Sequence, residues 1–324
     1  APTLALDLSR RAGLLDGLID ASAFDAPGSV DDIAARLRRD DKRAGIEERL
    51  DRERQVVGEL RFALGAQVVV GASDPMIVAG GYARVAEAAI RVVGEAVTAE
   101  FETVQGKVPG CELVILALGR MGGGELTHAS DLDLIYLFTG DFASESDGAK
   151  PLGATHYFNR LAQRVTAGLS VATAAGALYE VDTRLRPSGA QGPLVVSLDS
   201  FERYQHEEAW IWEHMALTRA RLVFGSAEAR AATQAIIDTV LNRLRDRREI
   251  VAAATRMRGD IAEHKPPKGP LDVKLCEGGL VDLEFAVQVT QLAHRKGLTP
   301  HLATAIAALI EGLDLRIAPG QRVA

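Results

Sequence analysis

Apolar residues recur at helical spacing from Leu4 to about Gln105. Leu50, Val56, Val57, Leu60 and Leu64 form one stripe, and Val85, Ala88, Ala89, Val92 and Val93 form another. Small and turn-forming stretches such as Ser22 to Gly28 and Gly71 to Pro75 interrupt the period, so this region is expected to be several helices. The texture changes at Val108-Pro109-Gly110. Leu113 to Leu118 and the run through Leu132, Ile135, Leu137 and Phe138 are dense, strand-length apolar segments flanking a glycine-rich turn. Tyr157, Leu161, Val165 and Leu169 predict one helix. Leu178 to Leu185 alternates apolar and polar residues like a half-buried strand. Helices are expected again from Leu198, with Ser197 as cap, to about Ala262. The prolines of His264 to Pro270 make a linker, another helix follows Gly278-Gly279, and the last pattern stops near Arg316.

Composition narrows the field. The 324 residues allow roughly two domains. With 37 Lys and Arg against 44 Asp and Glu, the net charge of −7 leaves no excess of positive charge for phosphate-backbone binding, which argues against a nucleic-acid partner. No apolar run approaches the ~20 residues of a membrane-spanning helix. Two cysteines, Cys111 and Cys276, predict free thiols and a cytoplasmic setting. The chain opens Ala-Pro-Thr, without an initiator Met or a targeting segment, and is expected to be a piece of something longer.

The chemistry concentrates in Gly119 to Asp133. Asp131 and Asp133 lie two apart at the start of a strand, so both carboxylates leave one face, roughly 7 Å apart at Cβ. Paired carboxylates suit hard divalent ions that also take phosphate oxygens. Gly122 and Gly123 would let backbone amides approach phosphates, with the Ser130 hydroxyl beside them. The structural alternative is a plain turn and a solvated strand edge. The loop is neither a Walker A nor a dinucleotide fingerprint. A third ligand is expected from Asp182, with Glu180 as substitute. Period 2 would place Glu180, Asp182, Arg184 and Arg186 on one face, the two arginines as clamps for a triphosphate.

This arrangement resembles the DNA polymerase β type of nucleotidyltransferase, although only seven residues separate Gly123 from Asp131. Four ordered motifs narrow it further: Gly119 to Leu126 with Ser130-Asp131-Leu132-Asp133, then Tyr179 to Gly189, Glu208 to His214, and Gly278 to Phe285. Together they resemble the glutamine synthetase adenylyltransferase family. Arg-Pro-Ser-Gly at 186–189 looks like the C-terminal, adenylylating half rather than the adenylyl-removing half. Arg120 stands where the family more often has Lys.

The resemblance implies an α+β fold with a small mixed sheet, flanked by helical regions. Its divisions would be a helical region at 1–107, the nucleotidyltransferase domain at 108–263 and the start of a truncated helical domain at 264–324. It implies AMP transfer from ATP to a tyrosine of glutamine synthetase, two Mg²⁺ held by Asp131, Asp133 and Asp182, and the PII signalling protein as regulator. The alternatives are the phosphorolytic removing half and a non-catalytic docking module. Trp210, Trp212 and His214 are expected to pack or dock, Asp282 and Glu284 to favour a helix start, and Arg243 to Arg248 to form a solvated helix face.

Overall fold

A computed structural model of the chain describes residues 2–18, 25, 27–38, 45–173 and 176–313. Five helices precede the sheet or interrupt its first hairpin: α1 (Pro2–Arg10), α2 (Val30–Leu37), α3 (Ile46–Val69), α4 (Pro75–Gln105) and the four-residue α5 (Gly119–Gly122). Short 3-10 turns span Ala12–Leu18 and Gly189–Gln191. The strands are β1 (Leu113–Ala117), β2 (Leu132–Phe138), β3 (Val181–Asp182), β4 (Val195–Ser197) and β5 (Arg221–Phe224). The remaining helices are α6 (Ala154–Ser170), α7 (Leu198–Glu207), α8 (Ile211–Leu217), α9 (Ala227–Leu241), α10 (Arg247–His264), α11 (Leu280–His294) and α12 (Leu302–Gly312). The fold is α+β. The pattern expected near Arg316 falls outside the described residues, as does most of the break at Ser22 to Gly28.

The chain divides into two compact units, one of residues 1–201 with 221–231 and the other of residues 202–220 with 232–324. Compactness thus divides the chain elsewhere than composition does. Helices α2, α3 and α4 share one apolar core with the sheet, because α4 is buried around most of its circumference. Its start is fixed by Asp74, whose carboxylate accepts from the Met76 amide at 2.7 Å, and by Pro75 in the first turn. Val85, Ala88, Ala89, Ile90 and Val93 are buried, and α4 packs on α2, α3, α6 and β5.

In the first unit's sheet, β1 lies antiparallel between β2 and β5. The far edge of β2 carries two short parallel strands end to end, β3 beside Leu132 and Asp133 and β4 beside Tyr136 to Phe138. All five positions of β1 are buried, as a strand covered on both faces requires. Two strands lay hidden from the sequence pattern. Arg221–Phe224 sits within a stretch expected to be helical, yet it pairs with β1 through Leu116↔Leu222 and Ala117↔Arg221. Val195–Ser197 is just as short and is strand only because β2 offers an edge. Ser197 does cap α7, its Oγ accepting from the Ser200 amide at 3.2 Å.

In the second unit α8, α10 and α11 pack on one another and α11 on α12, with Val287, Ala305 and Leu309 as a small apolar cluster. Helix α10 stops at His264, one residue before Lys265-Pro266-Pro267. Arg243 and Arg245 are not on a helix face as expected. They lie in the turn between α9 and α10, where Arg245 donates to Val240 O in the last turn of α9 at 2.6 Å and Arg243 reaches back to His206 O of α7 at 2.7 Å.

Candidate active site

The glycine-rich loop is a tight turn stitched to the strand that follows it. The Leu118 amide donates to Asp133 O at 2.9 Å, and Gly119 turns with φ +55°. A Cβ added at Gly119 would lie 2.1 Å from Asp133 Oδ2, so only glycine admits this carboxylate at this place. The Gly122 amide donates to Leu118 O at 2.8 Å and that of Gly123 to Gly119 O at 3.1 Å. These two amides, expected to face phosphate, instead close the turn, because a single helical turn uses its fourth and fifth donors internally. Its first three, at Gly119, Arg120 and Met121, have no intrahelical acceptor. Ser130 Oγ accepts from the Thr127 amide at 3.0 Å and shares a hydrogen bond with Thr127 Oγ1 at 2.9 Å, which shapes the turn leading into Asp131.

The three acids predicted from sequence are brought to one end of β2. Asp133 and Asp182 are direct register partners on the parallel pair β2–β3, and the Leu132 amide extends the ladder to Glu180 O at 2.9 Å. Register partners present side chains to the same face across strands ~4.8 Å apart. Asp131 precedes Asp133 by two residues and is exposed. The Arg184 backbone amide donates to Asp182 Oδ1 at 2.8 Å, and its guanidinium grips both carboxylate oxygens, Nε to Oδ2 at 2.8 Å. That hydrogen bonding and the charge of Asp182, with smaller contributions from Asp131 and Asp133, raise the Arg184 pKa above its ordinary value. All three carboxylates therefore act on one position, and a cation is already drawn to it. Three hard oxygen donors fit a divalent ion in chemistry. Among the described residues no three acidic, His or Cys side chains are gathered closely enough to hold an ion by themselves, and Asp182 is turned onto Arg184.

The strand reading fails beyond Asp182. The chain leaves β2's edge there and turns through Arg184 to Gly192, so Arg184 and Arg186 do not share a strand face with Asp182. Arg186 instead staples the loop, with Nη1 to Thr183 O at 2.9 Å, Nη2 to Ala190 O at 3.2 Å and Nε to Gly192 O at 3.2 Å. Pro187, with Ser188 and Gly189 both at positive φ, ends the alternation that the sequence continues past Asp182. Arg184 remains 73% exposed and can reach outward.

Two further arginines brace the site and escaped sequence reading. Arg221 of β5 donates to Met121 O at 3.1 Å and to Gly122 O at 3.2 Å while pairing with buried Glu87 of α4. Arg61 of α3 donates to Leu178 O at 2.6 Å and to His128 O, and lies over the Tyr179 ring at 4.6 Å. Both link the loop and the approach to β3 to core helices. Their only local signal is a basic residue beside an apolar run.

The motif residues of the second unit are spent on structure. Trp210 is the N-cap of α8 rather than inside it and is 65% exposed, whereas His214 is buried. Glu213 accepts from Tyr204 Oη at 2.9 Å and from the Trp210 amide at 3.1 Å, and burial raises its pKa. His214 meets Gln205 O through Nε2 at 2.9 Å and Arg245 through Nδ1 at 3.2 Å. Burial and then Arg245 push its pKa down to about 4. Asp282 pairs with Arg258 and accepts from the Gly278 amide at 2.7 Å at the start of α11, as the dipole argument expects. Glu284 pairs with Arg219.

With this geometry in place, residues 1–236 match the family model described as glutamate-ammonia ligase adenylyltransferase. The chain is 40% identical, over 99% of its length, to the bifunctional glutamine synthetase adenylyltransferase/adenylyl-removing enzyme of Mesorhizobium japonicum, covering 32% of that protein. The enzymes of the same description from Agrobacterium fabrum and Brucella suis are 41% and 42% identical over 93% of the chain, which covers 31% of each. The chain spans about a third of the length of these curated relatives.

Proposed function

The chain belongs to the glutamate-ammonia ligase adenylyltransferase family, and on that premise we propose that its first unit transfers AMP from ATP to a tyrosine of glutamine synthetase, releasing pyrophosphate. The observation that carries the reading is the register pairing of Asp133 with Asp182 beside Asp131, with all three acting on Arg184. Asp131, Asp133 and Asp182 would hold two Mg²⁺, which when bound supply Lewis acidity to the reacting oxygens and neutralise the departing pyrophosphate.

The chain's own residues do the remaining work. Gly119 keeps the Asp133 carboxylate against the loop, and Arg221 fixes the carbonyls of Met121 and Gly122 from the core side. The ATP phosphates would lie beside the turn that Gly122 and Gly123 close, near Ser130, on the amides of Gly119, Arg120 and Met121 that the turn leaves without an intrahelical acceptor. Arg184, leaving Asp182, would supply the guanidinium for the triphosphate. Arg186 serves by holding the 183–192 loop that carries Arg184. In the transfer the tyrosine oxygen bonds to the α-phosphorus and the bond from that phosphorus to the bridging oxygen breaks. On the same reading PII would be the regulator, the setting the cytoplasm, and the charge of −7 disfavours a nucleic-acid acceptor.

A second reading, phosphorolytic removal of AMP, is favoured by the paired activities in the relatives' names. Incubation with α-labelled ATP, Mg²⁺ and glutamine synthetase separates the two. Label on the synthetase, reduced about a thousandfold or more by Asp133→Asn, is the expected result. Phosphate-dependent release of AMP from premodified synthetase would assign the opposite half. Neither activity would leave the docking module.

A further inference from the structure

At the end of the sheet opposite the three acids, β1 begins and β5 ends beside a cavity of about 570 Å³. It opens between α4, α6 and the turn at 107–112, all within the first unit. Five residues of β1 separate it from the glycine loop, about 17 Å at strand rise, so it is distinct from the candidate active site. Its size suits a small molecule.

The charges around it are unevenly satisfied. Arg91 pairs with Asp31, Glu95 with Arg38, and Glu102 with Lys107. Glu112 accepts from the Ser226 amide at 2.8 Å and from its hydroxyl at 2.6 Å. Arg230 is different. It is half-buried, its Nε is shielded from solvent without a hydrogen-bond partner, and its guanidinium makes no ion pair among the described residues. Thr98 Oγ1 on the same wall is also shielded and unpartnered. A shielded guanidinium donor without an acceptor is costly, and so is a shielded hydroxyl without one. Between them the wall is apolar, with Phe158, Leu161, Val223 and Phe224.

We propose that this cavity binds a small organic anion, its carboxylate or phosphate on Arg230, its body against the Phe158 and Phe224 wall, and a polar atom within reach of Thr98. The anion supplies the acceptors that the fold leaves out. The proposal stands apart from the proposed AMP transfer, and its test reads binding rather than activity.

Cys111 lines the cavity and Cys276 lies in the other unit; both are half-buried free thiols. Alkylation of the full chain is followed at each thiol by mass spectrometry, with inorganic phosphate in one arm and pentanoate in another. The expected result is slowing at Cys111, unchanged Cys276, and an anion concentration for half-protection that rises about tenfold or more in Arg230→Gln. Arg230→Lys, which keeps the charge, should fall between, and guards against a folding defect in the glutamine variant. Asp133→Asn should leave protection intact. Protection by pentanoate alone assigns a carboxylate ligand, and by phosphate alone a phosphate ligand. No protection in either arm, unchanged protection in both Arg230 variants, or loss of protection in Asp133→Asn would overturn the proposal.

Discussion

Acidic motif residues occur in both units, and the two sets meet opposite fates. In the first unit Asp131, Asp133 and Asp182 gather where strands end, with the exposed Arg184 drawn to them. In the second, Glu213, Asp282 and Glu284 are each tied down by Tyr204, Arg258 and Arg219. A carboxylate whose partner is an exposed surface arginine can exchange it for another cation. Glu284, whose partner Arg219 is buried, cannot do so without leaving that charge stranded. Motif membership is therefore no guide to chemistry until the partners are known.

Several changes would break or sharpen that contrast. The largest effect is expected in the first unit from Gly119→Ala. The added Cβ displaces the Asp133 carboxylate, and AMP transfer should fall about a hundredfold while the fold persists. Near-wild-type transfer would show that the fit between Gly119 and Asp133 is incidental. In the second unit Arg219→Ala should leave transfer chemistry aside and cost about 3 kcal/mol in urea denaturation, because Glu284 loses its buried partner. A loss near that of an exposed pair, about 0.5 kcal/mol, would remove the distinction drawn here.

His214 gives the same unit a pH signature. Its folded pKa of about 4 lies below the ordinary 6.5, so the unfolded chain takes up the proton first as pH falls. Stability is full above pH 6.5 and is lost between 6.5 and 4, by about 3 kcal/mol at most. Denaturation midpoints against pH for the wild type and His214→Asn test this; parallel curves would contradict it. The smallest effect is expected from Arg186→Ala, about 1 kcal/mol from loosening the 183–192 loop. Fluorescence-detected ATP binding should weaken less in this variant than in Arg184→Ala. The reverse order would return Arg186 to the phosphate-clamping part first expected of it.

Legibility followed the range of the forces involved. Strands β1 and β2, the glycine turn and α6 were readable because each is specified by its own periodicity and turn residues. Asp131 and Asp133 were readable as a pair because two charges opening an apolar strand stand out locally. Arg221 and Arg61 were not, since each acts on carbonyls about a hundred residues away in the chain. Strand β5 was read as helix because four residues carry too little period to outweigh helical neighbours, and β1 supplied the deciding ladder. The alternation past Asp182 misled because period 2 persists in sequence after the partner edge has ended.

By itself, the sequence determined which segments are helix and strand wherever the pattern was long, and where glycine and paired carboxylates concentrate. Those properties depend on backbone propensity and on side-chain spacing within one segment. Only the tertiary structure decided that Asp182 stands beside Asp133, that Arg186 holds a loop, that α4 belongs to the sheet's core, and that Arg230 Nε is left without an acceptor among the described residues. Each of these depends on which distant group fills the space next to a side chain, and that is set by packing rather than by local order.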